Sequence, residues 1–164
     1  MIETKRLMLI PFTLDYVKAA IKGKKELEAI LQYQVADQWP NQDYAEILPY
    51  KASAFEKDPS KSKWSFIVIH KEDQKLIGEI GGKGGPDENG TVEIGYGIVE
   101  EYRNKGYATE MVNGLVNWLN THPEVNKIIA DCLIENLPSI KVLEKSGFLQ
   151  THKDDELIYW EYKE

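Results

Sequence analysis

Glu93 stands in an apolar run, Val92-Glu93-Ile94-Gly95-Tyr96-Gly97-Ile98-Val99. Side chains alternate across a strand, so Glu93, Gly95, Gly97 and Val99 share one face and Tyr96 lies on the other, among core positions. The carboxylate then looks across two positions that carry no side chain. An apolar sheet face raises a carboxyl pKa and suits it to accepting a proton near neutrality; the competing reading is a solvent-facing strand carboxylate paired with a neighbour. Downstream, Arg103-Asn104-Lys105-Gly106-Tyr107-Ala108-Thr109 joins this strand to an amphipathic helix. The first amides of a helix lack intrahelical partners and carry the positive end of its dipole, so a pyrophosphate placed there meets several aligned donors. Gly106 and Ala108 keep bulk away from that point.

The commoner phosphate motifs, Gly-x-x-x-x-Gly-Lys-Ser/Thr and Gly-x-Gly-x-x-Gly, are absent, which argues against nucleoside triphosphates and dinucleotides. His70, His122 and His152 are widely spaced and read as surface or strand-end residues, so no metal is expected. Cys132 lies in an apolar run and reads as a buried strand residue. A lone cysteine rules out a disulfide framework and suits a reducing, cytoplasmic setting. A formal net charge of -7 argues against nucleic-acid binding and mildly favours cationic acceptors. The N-terminus lacks a secretory hydrophobic region, and no apolar run approaches the roughly 20 residues that cross a bilayer, so no membrane association is expected.

The elements that must position these residues follow from periodicity. With 164 residues, 42% hydrophobic and 29% charged, the chain reads as one domain over 1–164. A first strand is expected over Arg6 to Phe12. Two helices follow between Thr13 and about Tyr50, one with Leu14, Val17 and Ile21 on a face and one with Leu27, Ile30 and Leu31, separated at Gly23. Asp58 to Lys63 is a polar connector. Trp64 to His70, Leu76 to Lys83 and Thr91 to Val99 form an antiparallel meander. Ala108, Met111, Val112, Leu115 and Leu119 give the next helix one apolar face. A strand over Lys127 to Leu133, a helix from Leu137 to Ser146, and strands near Phe148 and at Leu157 to Tyr162 complete the chain. The fold class is α+β: a central mixed sheet of about six or seven strands, flanked by helices and splayed where its antiparallel and parallel halves meet. A splayed point admits a ligand, and Glu93 to Thr109 sits there.

Arg103-x-x-Gly106-x-Ala108 behind that strand resembles the coenzyme A signature of GNAT-superfamily N-acetyltransferases. Asn136-x-x-Ser139 followed by Val142-Leu143-Glu144-Lys145-Ser146-Gly147-Phe148, together with Thr4-x-Arg6-Leu7-x-Leu9, is similar to the ribosomal-protein alanine N-acetyltransferase-like branch. The resemblance implies a GNAT fold and acetyl transfer from acetyl-coenzyme A to an amine, either a protein N-terminus or a small molecule, by a monomer or homodimer. It implies a pyrophosphate held by Arg103, Asn104, Lys105, Gly106, Tyr107, Ala108 and Thr109, with Tyr107 packing on the cofactor. The pantetheine arm would pair with main-chain groups of Ile98 and Val99 and touch Asn136 and Ser139 on its other side. A strand amide near Ile98 would stabilise the oxyanion. Glu93 matches the position of a general base, acting directly or through water. Many relatives use a tyrosine as general acid, but the matching position holds Leu143. Ser139 either supplies a hydroxyl in its place or bonds at its own helix start. Gln32, Tyr33, Gln34, Asp37, Trp39 and Tyr44 form an acceptor wall or serve only helix packing and the surface. A noncatalytic acyl-coenzyme A binding or sensor module is the alternative from a different class.

Overall fold

The computed structural model describes residues 1–164. In chain order its elements are β1 (Ile2–Glu3), β2 (Leu7–Pro11), α1 (Leu14–Lys22), α2 (Lys24–Leu31), β3 (Gln34–Val35), α3 (Gln42–Lys57), a 3-10 turn (Pro59–Trp64), β4 (Ser65–His70), β5 (Lys75–Gly82), β6 (Thr91–Ile98), a second 3-10 turn (Glu100–Tyr102), α4 (Tyr107–Leu119), β7 (Lys127–Leu133), α5 (Leu137–Lys145), β8 (Phe148–Lys153) and β9 (Leu157–Tyr162). The strands form one sheet in the order β1-β2-β4-β5-β6-β7-β9-β8, with β3 beside β5. The neighbours along that order are antiparallel except β6 and β7, which run parallel, as β3 and β5 also do. The sheet therefore has nine strands, more than the six or seven expected. The additions are β1 and β3, two residues each and too short to show a period.

Two layers of helix cover the sheet. Phe66 and Ile80 face Trp118 of α4 and its neighbours, together with Tyr96, which meets α5. Ser65 and Glu79 face the N-terminal helical segment, where Lys51 of α3 donates to Ser65 Oγ at 2.9 Å. Covered on both faces, β4 is buried at every residue, as its unbroken apolar run Phe66-Ile67-Val68-Ile69 implies.

The N-terminal helices depart from expectation. Thr13 caps α1 and Gly23 ends it, but the buried residues are Val17 and Ala19, while Ile21 and Ile30 stay exposed. A third helix, α3, runs past Tyr50 to Lys57 despite Pro49 inside it. Asn41 accepts a bond from Tyr44 N at 2.8 Å to start it, and Leu48, Ala52 and Phe55 bury one stripe. Tertiary packing of that stripe outweighs the proline penalty. The polar stretch after it forms a 3-10 turn capped by Asp58, whose carboxylate accepts from Ser60 N at 3.1 Å. No helix is long and apolar enough to cross a membrane.

Candidate active site

Only Thr91, Val92 and Glu93 of β6 pair with β7, opposite Lys127, Ile128 and Ile129; beyond them the strands part. On its other edge β6 stays paired with β5 through Gly78 and Ile98. Lys83 N donates to Glu93 O at 2.8 Å and Val99 N to Ile77 O at 2.9 Å, which fixes the phase of this ladder. Odd-numbered residues of β6 spend their main-chain groups on β5; the even-numbered ones turn theirs to the opposite edge, where the Ile94 amide serves the last bridge to Ile129 and Tyr96 and Ile98 lie beyond it, at the gap. Of the main-chain groups expected to meet the arm at Ile98 and Val99, only the Ile98 amide is free. Val99 is corrected: its amide serves Ile77, and its carbonyl accepts from Tyr102 N at 3.0 Å. Arg103 Nε donates to Ile98 O at 3.0 Å and braces the open end of the gap.

The loop after β6 turns on two left-handed residues, Asn104 and Gly106, at φ +62° and +83°. Asparagine and glycine tolerate this conformation best. Gly106 stands at the N-cap of α4 without a side-chain bond, and Glu110 N is the first amide to bond back, to Gly106 O at 3.0 Å. The amides of Tyr107, Ala108 and Thr109 precede it, at the positive end of the helix. Arg6 fixes this loop from below. Its Nε lies 2.7 Å from Glu110 Oε2, its Nη1 donates to Lys105 O at 3.0 Å, and its guanidinium lies 4.2 Å from the centre of the Tyr107 ring.

The Tyr107 side chain is engaged within the protein. Its hydroxyl lies 2.8 Å from His70 Nε2, and its ring packs on His70 and Tyr102. Of the two readings of His70, surface or strand-end, the strand-end one holds: His70 closes β4 and is buried. No cluster of three or more His, Cys, Asp or Glu capable of holding a metal is present.

Across the gap, Asn136 Oδ1 accepts from Ser139 N at 3.2 Å, so this side chain caps α5. Ser139 Oγ lies 3.1 Å from the hydroxyl of Tyr96, on the face opposite Glu93. Burial raises the Tyr96 pKa, against the bond from Ser139. Leu143 is fully buried in the core. The hydroxyls facing the gap are therefore those of Tyr96 and Ser139, a pairing that the core reading of Tyr96 missed.

The glycine face of β6 is not open, as the alternation suggested. Added Cβ atoms would meet Lys83 at Gly95 and the carboxylate of Glu79 at Gly97. Glu93 pairs with Lys83 at 3.1 Å, and its side chain is 36% exposed. Beside it, burial and a hydrogen bond with Glu93 raise the Asp131 pKa.

Glu79 was absent from the sequence-derived site, although a charge flanked by Gly78, Ile80 and Gly81 within an apolar strand is a readable signal. It is 7% exposed, and its Oε1 accepts from Trp39 Nε1 at 2.9 Å. Burial pushes its carboxyl up to about 7, against the Trp39 bond and the attraction of Lys51. Burial in turn lowers Lys51 and raises Tyr44. A cavity of about 220 Å³ joins Glu79 to Trp39, Asn41, Ile98, Val99 and Arg103. A larger groove of about 570 Å³, lined by Ile2, Thr4, Asn113 and Trp118 among others, lies between β1 and α4, away from this face.

A splayed mixed sheet, an uncapped helix start at the end of the splay and carboxylates beside it thus meet at one place in the fold. The family model described as the acetyltransferase (GNAT) domain matches residues 6–149. The chain belongs to the GNAT acetyltransferase family and is an N-acetyltransferase by class. It is 36% identical over 163 residues to "Uncharacterized N-acetyltransferase YjdG" of Bacillus subtilis (strain 168), covering 99% of this chain and 97% of the relative. Among solved structures, RimL, a ribosomal L7/L12 alpha-N-protein acetyltransferase in complex with coenzyme A, superposes with TM-score 0.68 at 13% identity, covering 96% of this chain and 95% of that one. A spermidine N-acetyltransferase SpeG chimera from Vibrio cholerae and hSSAT gives TM-score 0.68 at 16% identity, with the same coverage of 96% and 95%. Both share the fold, and their acceptors differ.

Proposed function

We propose that this chain transfers an acetyl group from acetyl-coenzyme A to a primary amine by direct attack, the amine being a peptide N-terminus or a small molecule. The observation that carries this reading is the gap between β6 and β7: main-chain groups of Tyr96 and the amide of Ile98 face it, and it ends at the uncapped start of α4. Those residues fit the cosubstrate. The main-chain groups of Tyr96 suit the amides of a pantetheine arm, added like a strand. The stretch from Asn104 to Thr109 suits its pyrophosphate, with Arg103 and Lys105 adding positive charge. Asn136 and Ser139 border the arm from α5.

Acetyl-coenzyme A supplies an activated thioester. The protein must then take a proton from the acceptor ammonium, stabilise an oxyanion and return a proton to sulfur. The amide of Ile98 points into the gap and suits the oxyanion. The hydroxyls of Tyr96 and Ser139 suit the proton return, in place of the tyrosine that Leu143 replaces. Glu93 and Glu79 stand on the face from which the amine approaches. The continuous core that all these elements share supports reading 1–164 as one such domain.

Calorimetric titration of acetyl-coenzyme A tests the cofactor half. Ala108→Glu places a carboxylate among the loop amides and is expected to weaken binding at least a hundredfold, with an unchanged melting profile. Equal affinity in both proteins would remove the anion site.

A further inference from the structure

We propose that Glu79, not Glu93, takes the proton from the acceptor, and that the cavity above it admits the ammonium end of a slender, unbranched primary amine. This inference rests on the acetyl-transfer reading and names its base and acceptor class. Glu79 stands opposite Gly97, one residue from the Ile98 amide that faces the gap. A glycine at 97 leaves no side chain between the carboxylate and the strand edge. Trp39 engages Oε1, while Oε2 lies over Gly97 without a hydrogen bond. One oxygen is thus held in place and the other is free toward the point of attack. Glu93 is four residues further up β6, about 13 Å along the strand, and its carboxylate is engaged by Lys83.

The cavity argues for the acceptor class. At about 220 Å³ it is smaller than sites that enclose a whole ligand, so it accommodates an amine and its first few carbons. The Trp39 indole borders the cavity and Glu79 lies within it, a setting that favours a cation. The charged and titratable groups around Glu79 are Lys51 and Tyr44 of α3, with Glu100 and Arg103 at the cavity rim. Burial near neutrality leaves the carboxylate ionised enough at pH 8 to accept a proton, and protonated below pH 6.

The protons balance. The ammonium nitrogen loses two: one passes to Glu79 and leaves to solvent, and the other ends on the sulfur of coenzyme A. The new carbon–nitrogen bond replaces the carbon–sulfur bond.

The test measures kcat/KM from pH 5.5 to 9 with n-butylamine, tert-butylamine and 1,4-diaminobutane as acceptors. The wild-type protein should show an acid limb near pH 7 and prefer the two unbranched amines at least tenfold. Glu79→Gln should lower the rate at pH 8 at least a hundredfold and abolish the limb, with the dissociation constant of acetyl-coenzyme A within twofold. Glu79→Asp, which withdraws the carboxylate by one methylene, should lose at least tenfold and keep the limb. Glu93→Gln should keep the acid limb at the same pH. Full activity in Glu79→Gln, or loss of the limb in Glu93→Gln instead, overturns the proposal. A preference for tert-butylamine overturns the acceptor class. Binding of acetyl-coenzyme A with no turnover of any amine by the wild-type protein overturns the acetyl-transfer reading itself.

Discussion

Glu79 faces Gly97 across the β5–β6 ladder, and its Oε2 occupies the space where a Cβ at residue 97 would stand. Gly97→Ala must therefore push the carboxylate aside or move the strand. Misplacement of a reacting group by about 1 Å costs on the order of a hundredfold in rate. We expect kcat to fall ten- to a hundredfold, with acetyl-coenzyme A still bound. Steady-state kinetics beside calorimetry would check this, and an unchanged kcat would mean that the carboxylate does no chemistry.

Glu79 also makes stability depend on pH in a defined direction. Its folded pKa, about 7, lies above the ordinary 4.5, so the folded chain holds this proton more tightly than the unfolded chain. The contribution is complete below about pH 4 and is lost as pH rises through 7. Glu79→Gln does not titrate and retains an acceptor for Trp39. It should gain up to about 3 kcal/mol relative to the parent protein between pH 4 and 8. Urea unfolding at the two pH values measures the difference; equal values at both would contradict the burial argument.

Tyr96→Phe removes the hydroxyl that lies 3.1 Å from Ser139 Oγ while keeping the ring on its sheet face. If this pair returns a proton to the leaving thiolate, kcat should fall about ten- to a hundredfold, the range of general-acid effects at its lower end. The KM for acetyl-coenzyme A should move less than threefold. A larger change in KM with kcat intact would assign Tyr96 to binding.

Glu110 accepts from Thr4 Oγ1, Arg6 N and Arg6 Nε, each at 2.7 Å. Burial alone would raise its pKa, but these three donors and the Arg6 charge lower it overall. Glu110→Ala leaves the donors unpaired and releases Arg6 from the loop. A loss of about 2 to 4 kcal/mol in denaturant unfolding is expected, together with about a tenfold higher KM for acetyl-coenzyme A. Intact stability would show that the Arg6 bridge is dispensable.

The strand, loop and helix from Thr91 to Leu119 were legible because three local signals coincide there: period-two alternation, small residues at a helix start, and an apolar helical stripe behind it. The β5–β6 hairpin was legible too. Its register was not, and only the register places Glu79 opposite Gly97. Tyr96 was assigned correctly to the face away from Glu93, but its partner Ser139 lies 43 residues on, beyond the reach of local pattern. Val99 shared the glycine face as expected, yet that same phase commits its amide to Ile77. The helix around Pro49 was hidden because a proline penalty is local, whereas the burial of Leu48, Ala52 and Phe55 is tertiary.

Release of thiol from acetyl-coenzyme A, followed while primary amines and short peptides are supplied one at a time, tests the central claim most directly. Release that depends on the acceptor and saturates with it, with the acetylated amine recovered in equal amount, is the predicted result. Tight binding of acetyl-coenzyme A with no acceptor-dependent release would contradict the claim and leave a binding module in its place.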